Sequence, residues 1–216
     1  MVASSSTTVL ATNAKPIVYF AGKMNVAAVE RHGSRLAIHL NLDSFPEADV
    51  AAATLHQEHG SLIVAGPIMI GCDHGCYHGP ASHACGLNKG AGFGCVETYP
   101  TTPEDIMQRC FMQLASAEFV VLEVDADISC IGSLAEAGYA YARRKILFID
   151  LTDVPESSRV ELWFVIRMSL DSIERSSATM ARAAFALKAV PRLQQWGSIE
   201  AYLVHLKHAE KSKSLV

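Results

Sequence analysis

The hydrophobic residues between positions 103 and 149 form helical and strand-like patterns in turn. A stripe at helical spacing predicts a helix that begins at the Thr102-Pro103 pair, with these residues buried: Ile106, Met107, Cys110, Phe111 and Leu114. Two mostly apolar runs predict buried strands: FVVLEV, residues 119–124, and ILFI, residues 146–149. A second helix is predicted at residues 133–143. Helices that alternate with buried strands are typical of a parallel sheet with crossover helices.

Shorter patterns on both sides of this segment predict further elements. Apolar or alternating runs predict strands at residues 17–20, 36–42 and 62–65. Apolar positions at helical spacing predict helices at residues 48–59, 162–173 and 198–206. We therefore expect an α/β fold: a single domain with a mainly parallel central sheet flanked by helices, of the flavodoxin or Rossmann-like kind. In such sheets, ligands bind outside the carboxyl ends of the strands.

Length, composition and charge narrow the class of protein. The 216 residues suit one domain, and 50% hydrophobic with 19% charged residues indicates a sizeable core. The net charge of -4 argues against a nucleic-acid partner, because such a protein needs a basic face to displace counterions. No apolar run approaches the roughly 20 residues of a membrane helix, so we expect no membrane partner.

The first residues and the cysteines bear on the cellular compartment. Residues 1–15 are small and polar, without the apolar core of a secretory signal, and we interpret them as a disordered tail before a domain at 16–216. The chain has 6 cysteines, which we expect to be reduced in the absence of an export signal. These two observations predict a cytoplasmic protein.

A loop rich in glycine, cysteine and histidine is predicted at residues 71–95. It holds seven of the chain's 14 glycines, which disfavour regular helix. Its start, GCDHGCYHG, offers four residues that could bind zinc: Cys72, His74, Cys76 and His78. Their spacing differs from that of standard structural zinc sites, so we expect no metal and keep a zinc-binding protein, with this loop as its site, as an alternative function. A disulfide between Cys72 and Cys76 is disfavoured by the compartment.

We favour a substrate-binding role for this loop over a plain solvent-exposed loop. Hydrogen-bonding groups and an aromatic ring suit a nucleobase, and they come from Asp73, His74, Tyr77 and His78. The glycines allow the backbone to approach a ligand closely. The histidines can also donate a proton near neutral pH.

Three acids follow the strand at 119–124, namely Asp125, Asp127 and Glu136. Ser133 and Glu136 match a capping box, in which the serine caps a helix and the glutamate reaches back to the serine N–H. The two aspartates could simply be solvated turn residues. The alternative is a catalytic role for these acids. An ionised carboxylate above a parallel strand can attack an anomeric carbon while a second acid assists the leaving group.

Several motifs together resemble the nucleoside 2-deoxyribosyltransferase superfamily, which includes deoxynucleoside 5'-monophosphate N-glycosidases. The motifs are VYFAGKM at 18–24, GPIMIGCDHGCYHG at 66–79, AEFVVLEVD at 117–125 and GSLAEAGYAYARRK at 132–145. The resemblance covers most of residues 16–150 and is closest over 115–150. It implies cleavage or transfer at the N-glycosidic bond of a nucleoside or nucleotide through a glycosyl ester, with no cofactor. It also implies a homodimer or higher homo-oligomer, for which the 162–173 helix is a candidate interface.

The resemblance assigns roles to particular residues. Glu136 takes the position of the nucleophile, and Gly132 and Ser133 match the family's Gly-Ser/Thr, whose N–H and hydroxyl groups meet sugar or phosphate oxygens. Tyr19 and Gly22 match first-strand positions that border the sugar and base. Lys23 is the nearest cation for a phosphate.

Two acids that assist the reaction in the family are replaced in this chain. Cys130 and Cys110 stand at these positions, so Asp125 or Asp127 is expected to serve instead. The replacements also favour a second hypothesis, that of a catalytically inactive nucleotide-binding or sensing protein on the same scaffold. The sequence leaves open whether the acceptor is water or a base, which base is bound, whether the sugar carries a 2'-hydroxyl, and whether a 5'-phosphate is required.

Overall fold

The computed structural model describes residues 14–22, 39–40, 56–67, 69–70, 103–124 and 131–211. The strands in this part are β1 (Ile17–Gly22), β2 (His39–Leu40), β3 (Gln57–His59), β4 (Leu62–Gly66), β5 (Met69–Ile70), β6 (Phe119–Glu123) and β7 (Ile146–Asp150). The helices are α1 (Pro103–Ser116), α2 (Ile131–Ala142), α3 (Trp163–Glu174), α4 (Ser177–Ala189) and α5 (Ile199–Lys211). Two 3-10 segments, Glu156–Leu162 and Gln194–Trp196, precede α3 and α5.

Five of these strands form one sheet, in the order β3-β4-β1-β6-β7. Strands β4, β1, β6 and β7 run parallel, and β3 pairs antiparallel with β4 at one edge. Strands β2 and β5 form a separate parallel pair. The sequence prediction of an α/β domain with a mainly parallel sheet and flanking helices is confirmed at this level.

The order of the four parallel strands locates the expected ligand crevice. From β1 the chain adds β4 on one side and then β6 on the other, so the direction of strand addition reverses between β1 and β6. In open α/β sheets, ligands bind at such a switch point, outside the carboxyl ends of the strands. The register places Gly22 beside Glu123, and Glu123 beside Asp150, at these carboxyl ends.

Helices cover both faces of the sheet, which is why β6 and β7 are buried along their whole length. Helix α1 packs against β4 and β1, and α2 packs against β1, β6 and β7. On the opposite face, the guanidinium of Arg182 from α4 lies over the ring of Phe119, and Tyr202 from α5 meets the ring of Phe148. None of the helices in the described ranges is long and apolar enough to cross a membrane.

The predicted strands at residues 17–20, 62–65, 119–124 and 146–149 are confirmed, with small shifts at their ends. The predicted helix at 48–59 is wrong at its end, because Gln57–His59 is a strand. Gly60 sits in the left-handed region with φ 56°, which favours glycine and closes a hairpin between β3 and β4. The rest of that predicted helix lies outside the described residues.

The helices differ from the predicted patterns in two ways. On α1, the predicted buried stripe is partly wrong, because Met107 is 51% exposed whereas Arg109 and Gln113 are buried. Helix α4 was not predicted, because its alanine-rich sequence lacks a clear apolar stripe. In contrast, the predicted apolar positions of the 162–173 helix are buried, so most of that stripe belongs to the core.

Side chains seal the free edge of β7, the last strand of the sheet. The Tyr202 hydroxyl accepts a 2.8 Å hydrogen bond from the Ile149 N–H and donates a 3.0 Å bond to the Ile149 carbonyl. Two residues earlier along the strand, Ser172 Oγ accepts from the Leu147 N–H at 3.0 Å, and Ser169 Oγ donates to the Leu147 carbonyl at 2.7 Å. An edge strand otherwise presents unpaired backbone groups, so α3 and α5 complete the hydrogen bonding of the sheet.

Replacing Tyr202 by phenylalanine removes the hydroxyl that serves both backbone groups of Ile149. We expect the free energy of unfolding to fall by about 2–3 kcal/mol, because two buried polar groups lose their partner. Urea denaturation measures this change. Tyr139→Phe is the matched control, because its hydroxyl accepts from Arg143 at the protein surface, and we expect a change under about 0.5 kcal/mol. Equal losses in the two variants would contradict the sealing role of Tyr202.

Candidate functional site

Helix α2 carries the glutamate that sequence analysis singled out. Because α2 joins the parallel strands β6 and β7, its first turn lies at the carboxyl end of the sheet, near the switch point. Gly132 and Ser133 belong to this first turn, and Glu136 lies in the second turn. Glu136 is neither fully buried nor fully exposed, which is compatible with a role in a pocket.

A hydrogen bond joins the two principal residues of the predicted site. The Tyr19 hydroxyl donates to Glu136 Oε1 at 2.6 Å, linking β1 to α2 across 117 positions of the chain. Tyr19 is fully buried, so this donor cannot turn to solvent. Burial raises the pKa of Tyr19 well above its usual value, and the nearby charge of Glu136 and the thiol of Cys110 raise it further. The phenol therefore keeps its proton and remains a donor throughout the physiological pH range.

This contact overturns the interpretation of Ser133 and Glu136 as a capping box. Helix α2 begins at Ile131, two residues before Ser133, so the serine lies inside the first turn instead of capping it. The Glu136 carboxylate meets a tyrosine from another element of the fold. Glu136 is thus positioned by tertiary structure rather than by its own helix end.

The space between Tyr19 and Gln113 is too small for a side chain at position 66. Gly66 lies opposite Tyr19 in the register of β4 with β1. A Cβ atom there would lie 2.5 Å from Gln113 Oε1 and 3.0 Å from Tyr19 Cε2. Because Gln113 is itself fully buried, it has little freedom to move aside. Gly66 and Gln113 thereby help to fix the ring that holds Glu136.

One of the two positions that lose an acid relative to the resembled family lies in the described part of the chain. This is Cys110, on α1, which is buried with its thiol at the Tyr19 hydroxyl. Glu118, the acid directly before β6, forms a bidentate pair with Arg182, with bonds of 2.7 and 2.5 Å. The glutamate is therefore part of the packing between β6 and α4. Cys130 lies outside the described residues.

A charged cluster that was not predicted from the sequence lies at the carboxyl ends of β6 and β7. It consists of Glu123, Asp150, Asp153 and Arg192. Glu123 and Asp150 are aligned neighbours, 9% and 2% exposed. A signal was present, since each acid ends an apolar strand in FVVLE and ILFID. Glu123 fell inside a predicted strand and Asp150 directly after one, and neither was assigned a role.

Arg192 holds this cluster together. Its Nε contacts Asp150 Oδ2 as an ion pair without the alignment of a hydrogen bond, and its Nη2 donates to Asp153 at 2.9 Å. Asp150 Oδ1 accepts from the Thr152 N–H at 3.0 Å. Partial burial lowers the pKa of Arg192, but the bond to Asp153 and the charges of Asp150, Asp153 and Glu123 raise it overall. The segment after α4 is thus anchored at the mouth of the sheet.

Gly22 lies close against this cluster at the switch point, so a side chain there would crowd Glu123. A Cβ at position 22 would lie 3.3 Å from Glu123 Cβ and 3.6 Å from Glu123 Oε2. The mouth between β1 and β6 therefore has a small residue on one strand and a carboxylate on the other. Gly22 lies where a residue bordering a ligand is expected, at the end of the first strand.

The structure brings together only part of the predicted site. Tyr19 and Glu136 are in contact, Gly22 lies at the strand mouth, and Gly132 and Ser133 lie in the first turn of α2. The remaining predicted residues lie outside the described part: Lys23, Cys72, Asp73, His74, Cys76, Tyr77, His78, Asp125 and Asp127. In the ranges that are described, no group of three or more histidine, cysteine, aspartate or glutamate residues could hold a metal ion.

Comparisons with protein-family models, curated proteins and solved structures find no match for this chain. The sequence motifs, the α/β architecture and the Tyr19–Glu136 contact are therefore the basis for a functional proposal.

Replacing Gly66 by alanine tests the packing of the site. We expect a loss of about 1–3 kcal/mol in the free energy of unfolding, because buried neighbours must shift to admit a methyl group. Gly138→Ala is the control, since nothing lies within 4 Å of a Cβ there and the residue is inside α2. We expect the control to gain about 0.5–1 kcal/mol. Thermal or urea denaturation measures both, and a neutral Gly66→Ala would contradict the close packing.

Proposed function

We propose that this protein cleaves or transfers at the N-glycosidic bond of a nucleoside or nucleotide, with Glu136 as the nucleophile. The proposal includes membership of the nucleoside 2-deoxyribosyltransferase superfamily and a flavodoxin or Rossmann-like fold. It rests on the resemblance of the sequence motifs and on one structural observation, the 2.6 Å hydrogen bond from Tyr19 to Glu136.

The hydrogen bond supports a reactive role for Glu136 in two ways. It occupies one carboxylate oxygen and fixes the orientation of the group, which suits attack by the second oxygen. A donor to a carboxylate also favours its ionised form, which is the nucleophilic one. The partial exposure of Glu136 leaves a route for a substrate to reach it.

The proposed reaction proceeds by double displacement. A Glu136 oxygen forms a bond to the anomeric carbon of the sugar while the bond from that carbon to the base nitrogen breaks. The departing base takes a proton from an acid, for which Asp125 or Asp127 is proposed. Water or a second base then attacks the anomeric carbon, gives up a proton to the carboxylate that protonated the departing base, and releases Glu136. Water makes the protein a hydrolase, and a base makes it a transferase.

The first turn of α2 supports binding of the sugar or of a 5'-phosphate. The backbone N–H groups at a helix N-terminus favour oxygen atoms that carry negative charge. Gly132 is exposed, with nothing within 4 Å of the position of a Cβ, so a ligand has room to approach the backbone there. In this proposal Gly132 and Ser133 bind the substrate while Glu136 attacks it.

One observation favours a second candidate, a nucleotide-binding protein without catalysis. The thiol of Cys110 lies next to Tyr19, the partner of Glu136, at a position where the resembled enzymes have an acid. A thiol is a weaker hydrogen-bonding group than a carboxylic acid and carries no charge when protonated. Both candidates predict nucleotide binding, and the first alone predicts release of the base.

Incubation with a panel of deoxynucleosides, ribonucleosides and their monophosphates tests the reaction, with and without an acceptor base. We expect release or exchange of base by the wild-type chain. Glu136→Gln should lower the rate by about 1000-fold or more, because loss of a nucleophile that acts covalently has effects of that order. Chromatographic separation of base from nucleoside measures the rate.

Glu200→Gln is the matched control, because Glu200 is an exposed glutamate on α5, outside the site. We expect it to keep the wild-type rate. If wild type and Glu136→Gln are equally inactive across the panel while nucleotides still bind, the enzyme proposal fails and the binding protein takes its place. Equal activity of the two chains would exclude Glu136 as the nucleophile.

A pair of glycine variants tests substrate binding at the first turn of α2. Gly132→Ala places a methyl group where the ligand approaches the backbone, so we expect KM to rise by about tenfold, which corresponds to roughly 1.4 kcal/mol of binding. Gly138→Ala lies one and a half turns further along the same helix and should leave KM unchanged. Steady-state kinetics on the best substrate of the panel measures both. Equal KM values in the two variants would place the substrate elsewhere.

A further inference from the structure

Met107 is an exposed apolar residue in the first half of α1. It belongs to the stripe that was predicted to be buried, yet it is 51% exposed, whereas Cys110 and Leu114 further along the stripe are buried. Because α1 ends directly before β6 begins, its first half lies toward the carboxyl end of the sheet, where α2 also begins. An exposed thioether therefore lies on the side of the sheet where a ligand is expected.

A ring contact shows where Met107 lies relative to Glu136. The ring of Phe111 on α1 stacks on the ring of Tyr139 on α2, with centroids 4.4 Å apart. Met107 is one turn before Phe111 on the same face of α1. Glu136 is one turn before Tyr139 on the same face of α2. Both helices run from the carboxyl end of the sheet to its amino end, so Met107 and Glu136 lie at the same level on opposite helices.

The surroundings of Tyr19 agree with this placement. Its hydroxyl donates to Glu136 of α2, and the thiol of Cys110 from α1 lies against the same hydroxyl. Tyr19 therefore lies beneath the line where the two helices meet. Cys110 is three residues after Met107, so Met107 continues that side of α1 toward the carboxyl end of the sheet.

The space above Glu136 is open on the side of α2. Gly132 is one turn before Glu136 on the same face of the helix, and it is exposed. No atom of the described residues lies within 4 Å of a Cβ placed at Gly132. The α1–α2 seam, as we call this region, is lined by Met107, Phe111, Gly132, Glu136 and Tyr139.

The geometry of the proposed displacement gives this space an occupant. Tyr19 holds one oxygen of Glu136, so the other oxygen attacks, with the anomeric carbon about 3–3.5 Å away. Nucleophile and leaving group lie on opposite faces of the sugar in such a displacement, so the base lies across the seam from Glu136. The helix on that side is α1, and its residue at that level is Met107.

We propose that Met107 binds the face of the departing base and that this base is a purine. The inference rests on the proposed function of Glu136. A thioether makes favourable contacts with aromatic rings, and Phe111 extends the apolar surface by one turn, about 5.4 Å along α1. The two fused rings of a purine contact both side chains, whereas the single ring of a pyrimidine contacts Met107 alone. Met107 is therefore a specificity-determining residue.

Two methionine variants on one helix test this contact by steady-state kinetics. Met107→Ser should lower kcat/KM for purine nucleosides by about tenfold, and for pyrimidine nucleosides by less than about threefold, because the purine loses more apolar contact. Met112→Ser is the matched control, since Met112 is 52% exposed on the same helix. It lies five residues from Met107, about 140° around the helix, and should change neither value.

A conservative variant separates the loss of the contact from damage to the helix. Met107→Leu keeps an apolar side chain of similar volume, so we expect kcat/KM for purine nucleosides within about threefold of the wild-type value. Circular dichroism of each variant establishes that the fold is retained.

Methyl NMR tests binding of the base without turnover. The 7 methionines of the chain carry a ¹³C label at the ε methyl group, and the variants Met107→Leu and Met112→Leu assign two of the signals. Adenine should shift the Met107 signal upfield, because the face of an aromatic ring shields a methyl group next to it. The Met112 signal should not move, and cytosine should cause a smaller shift of Met107 at the same concentration.

The two measurements distinguish failure of this inference from failure of the proposed function. If the chain releases base but Met107→Ser behaves like Met112→Ser, the base binds elsewhere and Glu136 remains the nucleophile. If no base is released but adenine shifts the Met107 signal, the reaction fails and the base site stands. Equal losses for purines and pyrimidines in Met107→Ser would overturn the purine preference. If there is neither release nor a shift, both proposals fail.

Discussion

The parallel pairing of β1 with β6 is the constraint on which the site depends. These strands are adjacent in the sheet although about a hundred residues separate them in the chain. Their pairing creates the switch point, places Gly22 beside Glu123 at the mouth, and brings Tyr19 under α2, where it reaches Glu136. Non-local pairing of this kind is stabilised by burial on both faces, and β6 is buried at every position.

In the described part of the chain, three groups of polar side chains lie where the sheet meets its helices, and each group has a different task. Tyr19 and Glu136 form a hydrogen bond on one face, and the carboxylate of Glu136 is partly exposed. Glu123, Asp150 and Arg192 form a charged cluster at the mouth. Tyr202 and two serines complete the backbone hydrogen bonds of the edge strand β7. Buried polar groups require such partners, so these contacts limit how the helices can be placed.

The candidate site was partly predictable because its motifs are local. The pattern around Glu136 marked a helix after a buried strand, and the motif of the first strand marked Tyr19. The sequence did not indicate that the two residues touch, and a local capping box explained Glu136 equally well. The cluster around Asp150 was missed because Arg192 lies 42 positions away and comes close only through the packing of the segment after α4.

The sequence by itself determined the order of most helices and strands and the parallel character of the sheet, because hydrophobic periodicity and helix-start residues act over a few neighbouring positions. Tertiary structure decided the strand order, the burial of Arg109 and Gln113 in place of Met107, and the strand at Gln57–His59. It also decided the partner of Glu136. These features depend on contacts between distant parts of the chain, where pairing and packing outweigh local preference.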